Sequence, residues 1–317
     1  MKVLIVKTSS MGDVIHTLPA LTDAQNAIPN IQFDWVVEEA FAEIPRWHSA
    51  VNRVIPVAIR RWRKNLLNRQ TWQEWQAYLK VLRTEEYDAV IDAQGLIKSA
   101  VLVTKQAKGA KYGYDKHSTR EGLSSWFYDK TFSIAYQQHA VERIRKLFAE
   151  ALGYALPQTI GDYGIAPHFV KQPQNPTAYI VAIHATTRVD KHWKEEYWVE
   201  LIRSVTMQGL QVHLPWRSAE EKARAERLAK ISADVVVLPK LTLAELAQEI
   251  ANAKVVVSVD TGLSHLTAAL DKPNVILYGA TDPKLIGAYG KNQHYLTGSG
   301  MENILPYRVL QVLEDEL

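Results

Sequence analysis

The sequence predicts an α/β protein built from two doubly wound domains, each a parallel sheet covered by helices. Three observations carry that reading. Short runs of continuous apolar, β-branched residues recur along the chain, as expected of strands buried on both sheet faces. Segments with helical spacing of apolar positions separate them, which is the alternation that βαβ units require. The length, 317 residues, suits two domains of roughly 100 to 200 residues each.

The first element, Lys2 to Val6, reads as a buried strand that leads into the turn Ser9-Ser10-Met11-Gly12-Asp13 and a helix start at Val14. Phe33 to Val37 and Ala89 to Asp92 read as further strands, with a helix from Trp72 to Leu82 between them. The stretch from Pro45 to Trp75 is rich in Arg and Trp and reads as irregular. Pro157, Pro167, Pro173 and Pro176 crowd a segment of low periodicity, which predicts a linker and divides the chain into residues 1–165 and 166–317. Beyond it, strands are expected at Tyr179 to His184, Leu210 to Pro215, Val235 to Leu238, Val255 to Val259 and Asn274 to Tyr278. Helices are expected between them at Glu196 to Met207, Glu220 to Lys230, Leu243 to Ala253 and Ser264 to Leu270. A final helix is assigned to the second domain, with packing back on the first as an option. Two such domains place a cleft at the carboxyl ends of their strands, where open α/β sheets bind ligands.

Composition removes several classes of function. The chain is 47% apolar and 22% charged, the balance of a chain that folds throughout. It has no cysteine, so thiolate nucleophiles, disulfides and thiolate metal sites are excluded. The opening apolar run is too short for a signal peptide, and no run approaches the roughly 18 residues that span a bilayer. The expectation is a cytoplasmic protein with at most peripheral membrane contact. A net charge of +3 is too weak to imply nucleic acid, and no such partner is expected. It is unevenly spread: 21 basic against 16 acidic residues in the first 160, and 16 against 18 in the remainder. G-x-G-x-x-G after the first strand, the Walker A loop and H-E-x-x-H are all missing. D-x-D is missing too, so no metal or other cofactor is expected, although a divalent ion without a dedicated ligand set stays open.

The residues that could carry chemistry lie just after strands, where open α/β sheets bind ligands. Asp13 can accept a proton from a hydroxyl at that position, and it can equally cap the helix that follows; the two roles are compatible. Asp260-Thr261-Gly262-Leu263-Ser264-His265 ends a strand and opens a helix, which turns free N–H groups toward a phosphate; ordinary capping is the competing account. Ala185 to Trp193 carries Thr186, Thr187 and Lys191, two hydroxyls and a compact cation suited to a diphosphate, against the alternative of a solvated loop. Arg60, Arg61, Arg63 and Lys64 cluster around Trp62, with Arg120, His139 and Arg143 further along. Such groups suit carboxylates or phosphates, and with Trp47, Trp72 and Trp75 nearby they also suit a membrane surface, or simply a solvated face.

Taken in order, the Ser-Ser-Met-Gly-Asp opening, the loop from Thr186-Thr187 to Lys191-His192-Trp193 and the segment from Asp260 to His265 resemble the bacterial lipopolysaccharide heptosyltransferases. The resemblance spans essentially the whole chain. It implies two Rossmann-like domains facing a central cleft, the GT-B arrangement, with acceptor on the first and sugar nucleotide on the second. It implies inverting transfer of L-glycero-D-manno-heptose from ADP-heptose to the inner Kdo of Kdo2-lipid A, by a protein peripherally associated with the inner membrane. By the same resemblance Asp13 is the general base, and Lys191 assists the leaving diphosphate. Thr186, Thr187, Lys191, Asp260, Thr261, Gly262 and His265 hold the donor, with Glu221 and Leu241 at its nucleoside. Lys7, Ser10, Gly12, Arg60, Arg61, Arg63, Lys64, Arg120, His139 and Arg143 receive the acceptor. The residues after Trp216 depart from the family's glycine-rich loop, which leaves Glu220 and Glu221 as alternatives for the ribose, and Leu241 stands where methionine is expected. From the residues alone, a glycosyltransferase with another donor or a non-catalytic two-domain binder remain the rival readings.

Overall fold

The computed structural model describes residues 1–169, 177–279 and 281–317. These form two compact units, Met1–Gly164 and Ile165–Leu317. The division falls within the proline-rich stretch; Pro173 and Pro176 of the expected linker lie outside the described residues.

The first unit runs β1 (Lys2–Val6), α1 (Met11–Ile15), α2 (Leu18–Ala27), β2 (Gln32–Glu38), β3 (Val51–Val57), α3 (Ile59–Trp62), α4 (Arg69–Leu82), β4 (Glu86–Asp92), α5 (Ile97–Leu102), β5 (Lys108–Tyr114), β6 (Lys130–Phe132) and α6 (Ala140–Leu152). All six strands are parallel, in the order β3-β2-β1-β4-β5-β6. Val3 to Val6 are fully buried at the centre of this sheet. Strand order reverses between β1 and β4, and the crevice beyond the carboxyl ends of that pair is where such sheets bind ligands.

Strands β3, β5 and β6 fall where the sequence reads as irregular or carries no strand signal. The unit's sheet is therefore complete, and the stretch after Pro45 is regular in part. β3 is an edge strand, which explains how it carries Pro56 and polar neighbours. β5 contains Gly109 at φ +127°, where an added Cβ would come within 2.2 Å of the Tyr87 carbonyl oxygen. Glycine is required at that close approach, and it weakens the local strand signal. Helix α6 is held to α2 by Arg145, whose Nε donates to Asp23 Oδ2 at 2.6 Å with the guanidinium 1% exposed.

The second unit runs β7 (Tyr179–Ile183), α7 (Glu195–Met207), β8 (Gln211–Leu214), α8 (Ala219–Ala229), β9 (Val235–Val237), α9 (Leu243–Asn252), β10 (Val256–Val259), α10 (Gly262–Ala269), β11 (Asn274–Tyr278), α11 (Pro283–Ile286), β12 (Gln293–Thr297) and α12 (Pro306–Glu316). Its parallel sheet is ordered β12-β11-β10-β7-β8-β9. Read from β9, this is the connectivity of the first unit, with the reversal between β7 and β10. The expected strands and helices of this half are present with small shifts at their ends. Val309 and Leu313 of α12 belong to the core that also holds Trp193, Trp198 and Leu201. The final helix therefore packs on α7 and its own sheet. No helix among the described residues is long and apolar enough to cross a membrane.

Candidate active site

Each unit presents a carboxylate just beyond its point of strand reversal, in a different setting. In the first, the chain leaves β1 through Lys7 and enters α1, whose third residue is Asp13. Asp13 Oδ2 accepts from the Ser10 N–H at 2.7 Å and from Ser10 Oγ at 2.8 Å, so the capping role is present. The carboxylate nevertheless stays open, its side chain 45% exposed, with Lys7 Nζ 4.0 Å from Oδ1. Lys7 is buried and donates to the Ala93 carbonyl at 2.9 Å. Burial pulls its pKa down from the usual lysine range, against the opposing pull of the Asp13 and Asp92 carboxylates. Asp92, fully buried at the end of β4, is pushed up by burial although Gly95, Thr104 and Gln94 donate to it.

The basic residues proposed from sequence separate into groups. Arg143 on α6 lies over the rings of Tyr136 and Tyr114 at 4.3 and 5.2 Å and influences the charge on Lys7. His139 caps α6 by accepting from the Val141 N–H and packs edge-on to His16, at the end of α1, with ring centroids 5.3 Å apart. Both therefore belong to the surroundings of the Asp13 loop. Gly12 is buried in α1. The residues at 60–64 follow β3, two strands from β1 in the sheet, which is about 10 Å of lateral distance. Arg120 follows β5, two strands away on the other side. Arg61 is bound by Glu39 and Glu74; Arg60 lies over Phe41 at 5.5 Å; Arg63, Lys64 and Arg120 are exposed. Trp47 and Trp62 are buried. The surface patch expected of the tryptophans near residue 60 thus loses these two to the core, and Trp72 is the one that is exposed, at 54%.

In the second unit Lys191 bonds Asp260 through Nζ and Oδ2, with the two side chains 15% and 11% exposed. Thr186 Oγ1 donates to the Asp260 carbonyl at 3.3 Å, joining the loop after β7 to the loop after β10. Asp260 is thus occupied by the lysine, and Thr261 makes no side-chain cap on α10. The N–H groups opening α10 at Gly262 are left without such a cap, and His265 is buried in the helix's first turns. Thr187 is exposed. Glu221 forms a capping box with Ser218 at the start of α8, one carboxylate oxygen accepting from the Arg217 and Ser218 N–H groups at 2.6 and 3.3 Å. Glu220 is exposed beside it. Leu241 is half-buried ahead of α9, and Trp216 Nε1 ties the ends of β8 and β9 by donating to the Leu238 carbonyl at 2.6 Å.

Such geometry suits an anionic ligand on the second unit and proton removal on the first. Residues 75–306 match the family model for glycosyltransferase family 9 (heptosyltransferase). The chain is 59% identical over 315 residues to lipopolysaccharide heptosyltransferase 1 of Escherichia coli (strain K12), covering 99% of this chain and 98% of that one. It belongs to glycosyltransferase family 9. It is also 62% identical over 294 residues to lipopolysaccharide heptosyltransferase 1 of Salmonella typhimurium, covering 92% and 93% of the two chains. In structure it resembles E. coli heptosyltransferase WaaC with ADP at TM-score 0.97 and 57% identity, over the full length of both chains. It resembles E. coli heptosyltransferase WaaC with ADP-2-deoxy-2-fluoro heptose at TM-score 0.95 and 56% identity. The two-sheet α/β fold is that of these heptosyltransferases, and the protein is a heptose-transferring glycosyltransferase of lipopolysaccharide core synthesis.

Two residues of this family 9 enzyme escape the sequence reading. Gln94 Oε1 accepts from the Thr8 and Ser9 N–H groups at 2.9 and 3.1 Å and so shapes the approach to Asp13. Its position directly after β4, beside the strand reversal, was the available signal. Arg224 on α8 donates to the Trp193 carbonyl at 2.9 Å and the His184 carbonyl at 3.4 Å, and bonds His192 Nδ1. Through His192, whose Nε2 meets the Thr186 carbonyl at 2.7 Å, it braces the loop that carries Lys191. Nothing distinguishes Arg224 within the charged run Ala-Glu-Glu-Lys-Ala-Arg-Ala-Glu-Arg.

Proposed function

We propose that the enzyme transfers L-glycero-D-manno-heptose from ADP-heptose to the inner Kdo of Kdo2-lipid A with inversion, using Asp13 as general base. The observation that carries the base assignment is the open Asp13 carboxylate, oriented by Ser10 and faced by a buried lysine, just beyond the strand reversal of its sheet. The ADP complexes of a relative 57% identical over its full length support the donor.

In this reaction a Kdo hydroxyl oxygen attacks the heptose anomeric carbon and its proton passes to Asp13. The bond from that carbon to the diphosphate oxygen breaks on the opposite face, and ADP leaves. Lys191, Thr186 and Thr187 meet the diphosphate, with the opening N–H groups of α10 at Thr261 and Gly262. Asp260 sets the position of Lys191, and His265 lines the same loop. Glu221 keeps one carboxylate oxygen outside its capping bonds for the ribose, and Leu241 offers an apolar wall to the base in place of methionine at similar volume. We assign the compensation of leaving-group charge to these groups, with no divalent ion required. Lys7, Ser10, Gly12, His139 and Arg143 receive the reacting end of the acceptor, while Arg60, Arg63, Lys64 and Arg120 take its more distant anionic groups. The enzyme works as a peripheral protein on the cytoplasmic face of the inner membrane.

The test is ADP release from ADP-heptose with a deacylated Kdo-lipid A acceptor. Release that needs both substrates, and that collapses in Asp13→Ala with both substrates still bound, supports the proposal. Release without acceptor identifies a hydrolase, and near-normal turnover of Asp13→Ala removes the base assignment.

A further inference from the structure

The first unit carries exposed apolar side chains in two loops beyond its strands. After β3, Leu66 is 56% exposed and Leu67 is wholly exposed. After β5, Leu123 is 52% and Trp126 78% exposed. Isolated apolar residues on a surface are ordinary, but here both pairs follow the carboxyl ends of strands in one parallel sheet. Each of those strands lies two places from β1, so the pairs flank the Asp13 loop on opposite sides.

Both loops are held by specific bonds. Trp72 Nε1 donates to the Leu66 carbonyl at 2.8 Å, and the Asn68 side chain caps α4 by accepting from the Gln70 N–H at 2.9 Å, which fixes the chain on either side of Leu67. In the second loop, Glu121 accepts from the Ile97 N–H at 2.7 Å, tying the segment before Leu123 to the start of α5. Along the chain, residues 60–69 hold five basic and no acidic side chains; Arg61 is paired with Glu39 and Glu74, which leaves Arg60, Arg63, Lys64 and Arg69 as the excess of positive charge beside the first tip. An apolar tip beside an excess of cations, as at Leu66 and Leu67, has the composition of an interfacial anchor, and the bilayer it complements is anionic.

We infer that the carboxyl edge of the first unit's sheet docks on an anionic lipid bilayer, inserting Leu66 and Leu67 on one side of Asp13 and Leu123 and Trp126 on the other. This rests on the reading of a membrane-held acceptor and names the surface that reaches it. Docking at this edge brings the base loop to the headgroup level, where the sugar of a lipid-linked acceptor lies.

The experiment is co-sedimentation of the full chain with vesicles of phosphatidylcholine containing about 30% phosphatidylglycerol, and with phosphatidylcholine alone, at low and high salt. Wild type should bind the anionic vesicles and be released by salt. Leu66→Ser/Leu67→Ser should bind roughly tenfold more weakly or worse, the loss expected from two leucines no longer leaving water. Leu123→Ser/Trp126→Ser should lose binding in the same direction. Both double variants should retain ADP release on the deacylated, water-soluble acceptor, which also shows that they fold. Difference quenching between wild type and Trp126→Phe by bilayers with brominated acyl chains should report insertion of Trp126. Absence of wild-type binding, equal binding by both double variants, or self-association without vesicles that the leucine variant abolishes would each overturn the inference. Failure of wild type on the soluble acceptor would instead count against the transferase reading.

Discussion

The two units share one strand order and place an aspartate just beyond the same reversal of that order, yet the two carboxylates differ in exposure and in their partners. Asp13 is open to solvent, bonded by neutral donors from Ser10, with its cation held 4.0 Å away and buried. Asp260 is nearly buried and bonded directly to Lys191. A carboxylate with free lone pairs can accept a proton from a substrate. One already bonded to an ammonium serves to position that ammonium. On the proposed mechanism one architecture provides a proton acceptor and a positioned cation, and the difference lies in where a single lysine sits: just past the strand end and buried in the first unit, on the loop and reaching the carboxylate in the second.

Exchanging each carboxylate for its amide breaks this comparison most directly. Asp13→Asn should lower turnover by about 10²–10⁴-fold, the usual contribution of a positioned base. Its thermal stability should stay within about 1 kcal/mol of wild type, because only a helix cap is altered. Asp260→Asn should behave the other way. It strips a half-buried lysine of its partner, costs about 1–3 kcal/mol of stability and weakens donor binding more than it slows the chemical step. Steady-state kinetics alongside melting curves separate the two patterns. Equal loss of stability in both variants would show that the carboxylates do the same structural work.

How far the molecule could be read from its residues follows the same division. The second unit's central strands are buried on both faces and appear in the chain as largely apolar runs, Val-Val-Ser-Val and Asn-Val-Ile-Leu-Tyr among them, whereas its edge strand β12, Gln-His-Tyr-Leu-Thr, is partly exposed and has no such run. In the first unit the strands far from the centre, β3, β5 and β6, carry proline, glycine and lysine, so their pattern fades. Candidate loops were legible because polar turns after strands stand out, which is what singles out Asp13, Thr186, Lys191 and Asp260 as candidates. The direction of a side chain was not legible: Trp62 sits among four cations and points into the core, where its Nε1 donates to Glu74 at 2.7 Å. Arg224 was invisible because its partners are backbone carbonyls and a histidine more than 30 residues away in the chain.

A second comparison concerns acid. Each unit buries one histidine whose pKa burial lowers from 6.5 to about 4, His48 in the first and His184 in the second. His48 accepts from the Ala50 N–H through Nδ1 and meets Thr22 Oγ1 through Nε2, a set of bonds made by the neutral ring. Below pH 6.5 the unfolded chain takes up protons at these positions and the folded chain does not until about pH 4. Stability therefore falls with pH across that window and levels off beneath it. Each histidine should contribute a loss of about 2 kcal/mol by pH 5. Urea unfolding at pH 7 and pH 5 checks this, with His48→Gln and His184→Gln each flattening the dependence. A variant that retains the full slope identifies a histidine already charged when folded.

The smallest effect concerns two neighbouring arginines. Arg61 gives its guanidinium to Glu39 and Glu74, and the same Glu74 also holds the Trp62 indole, so Arg61 is part of the bracing that closes α3 onto α4. Arg63, two residues on at the end of α3, is exposed and makes no ion pair among the described residues. An incoming phosphate or carboxylate can take Arg63 at once, whereas Arg61 must first give up two carboxylates. Arg63→Gln should therefore raise the KM for the acceptor roughly tenfold, the loss of one charged hydrogen bond, and leave the KM for ADP-heptose unchanged. Arg61→Gln should alter acceptor KM less and show its effect in the salt dependence of melting, because its pairs are exposed and screened. Titrating the acceptor at fixed donor decides between them, and a larger acceptor defect in Arg61→Gln would mean that the ligand displaces Glu39 and Glu74 from that guanidinium.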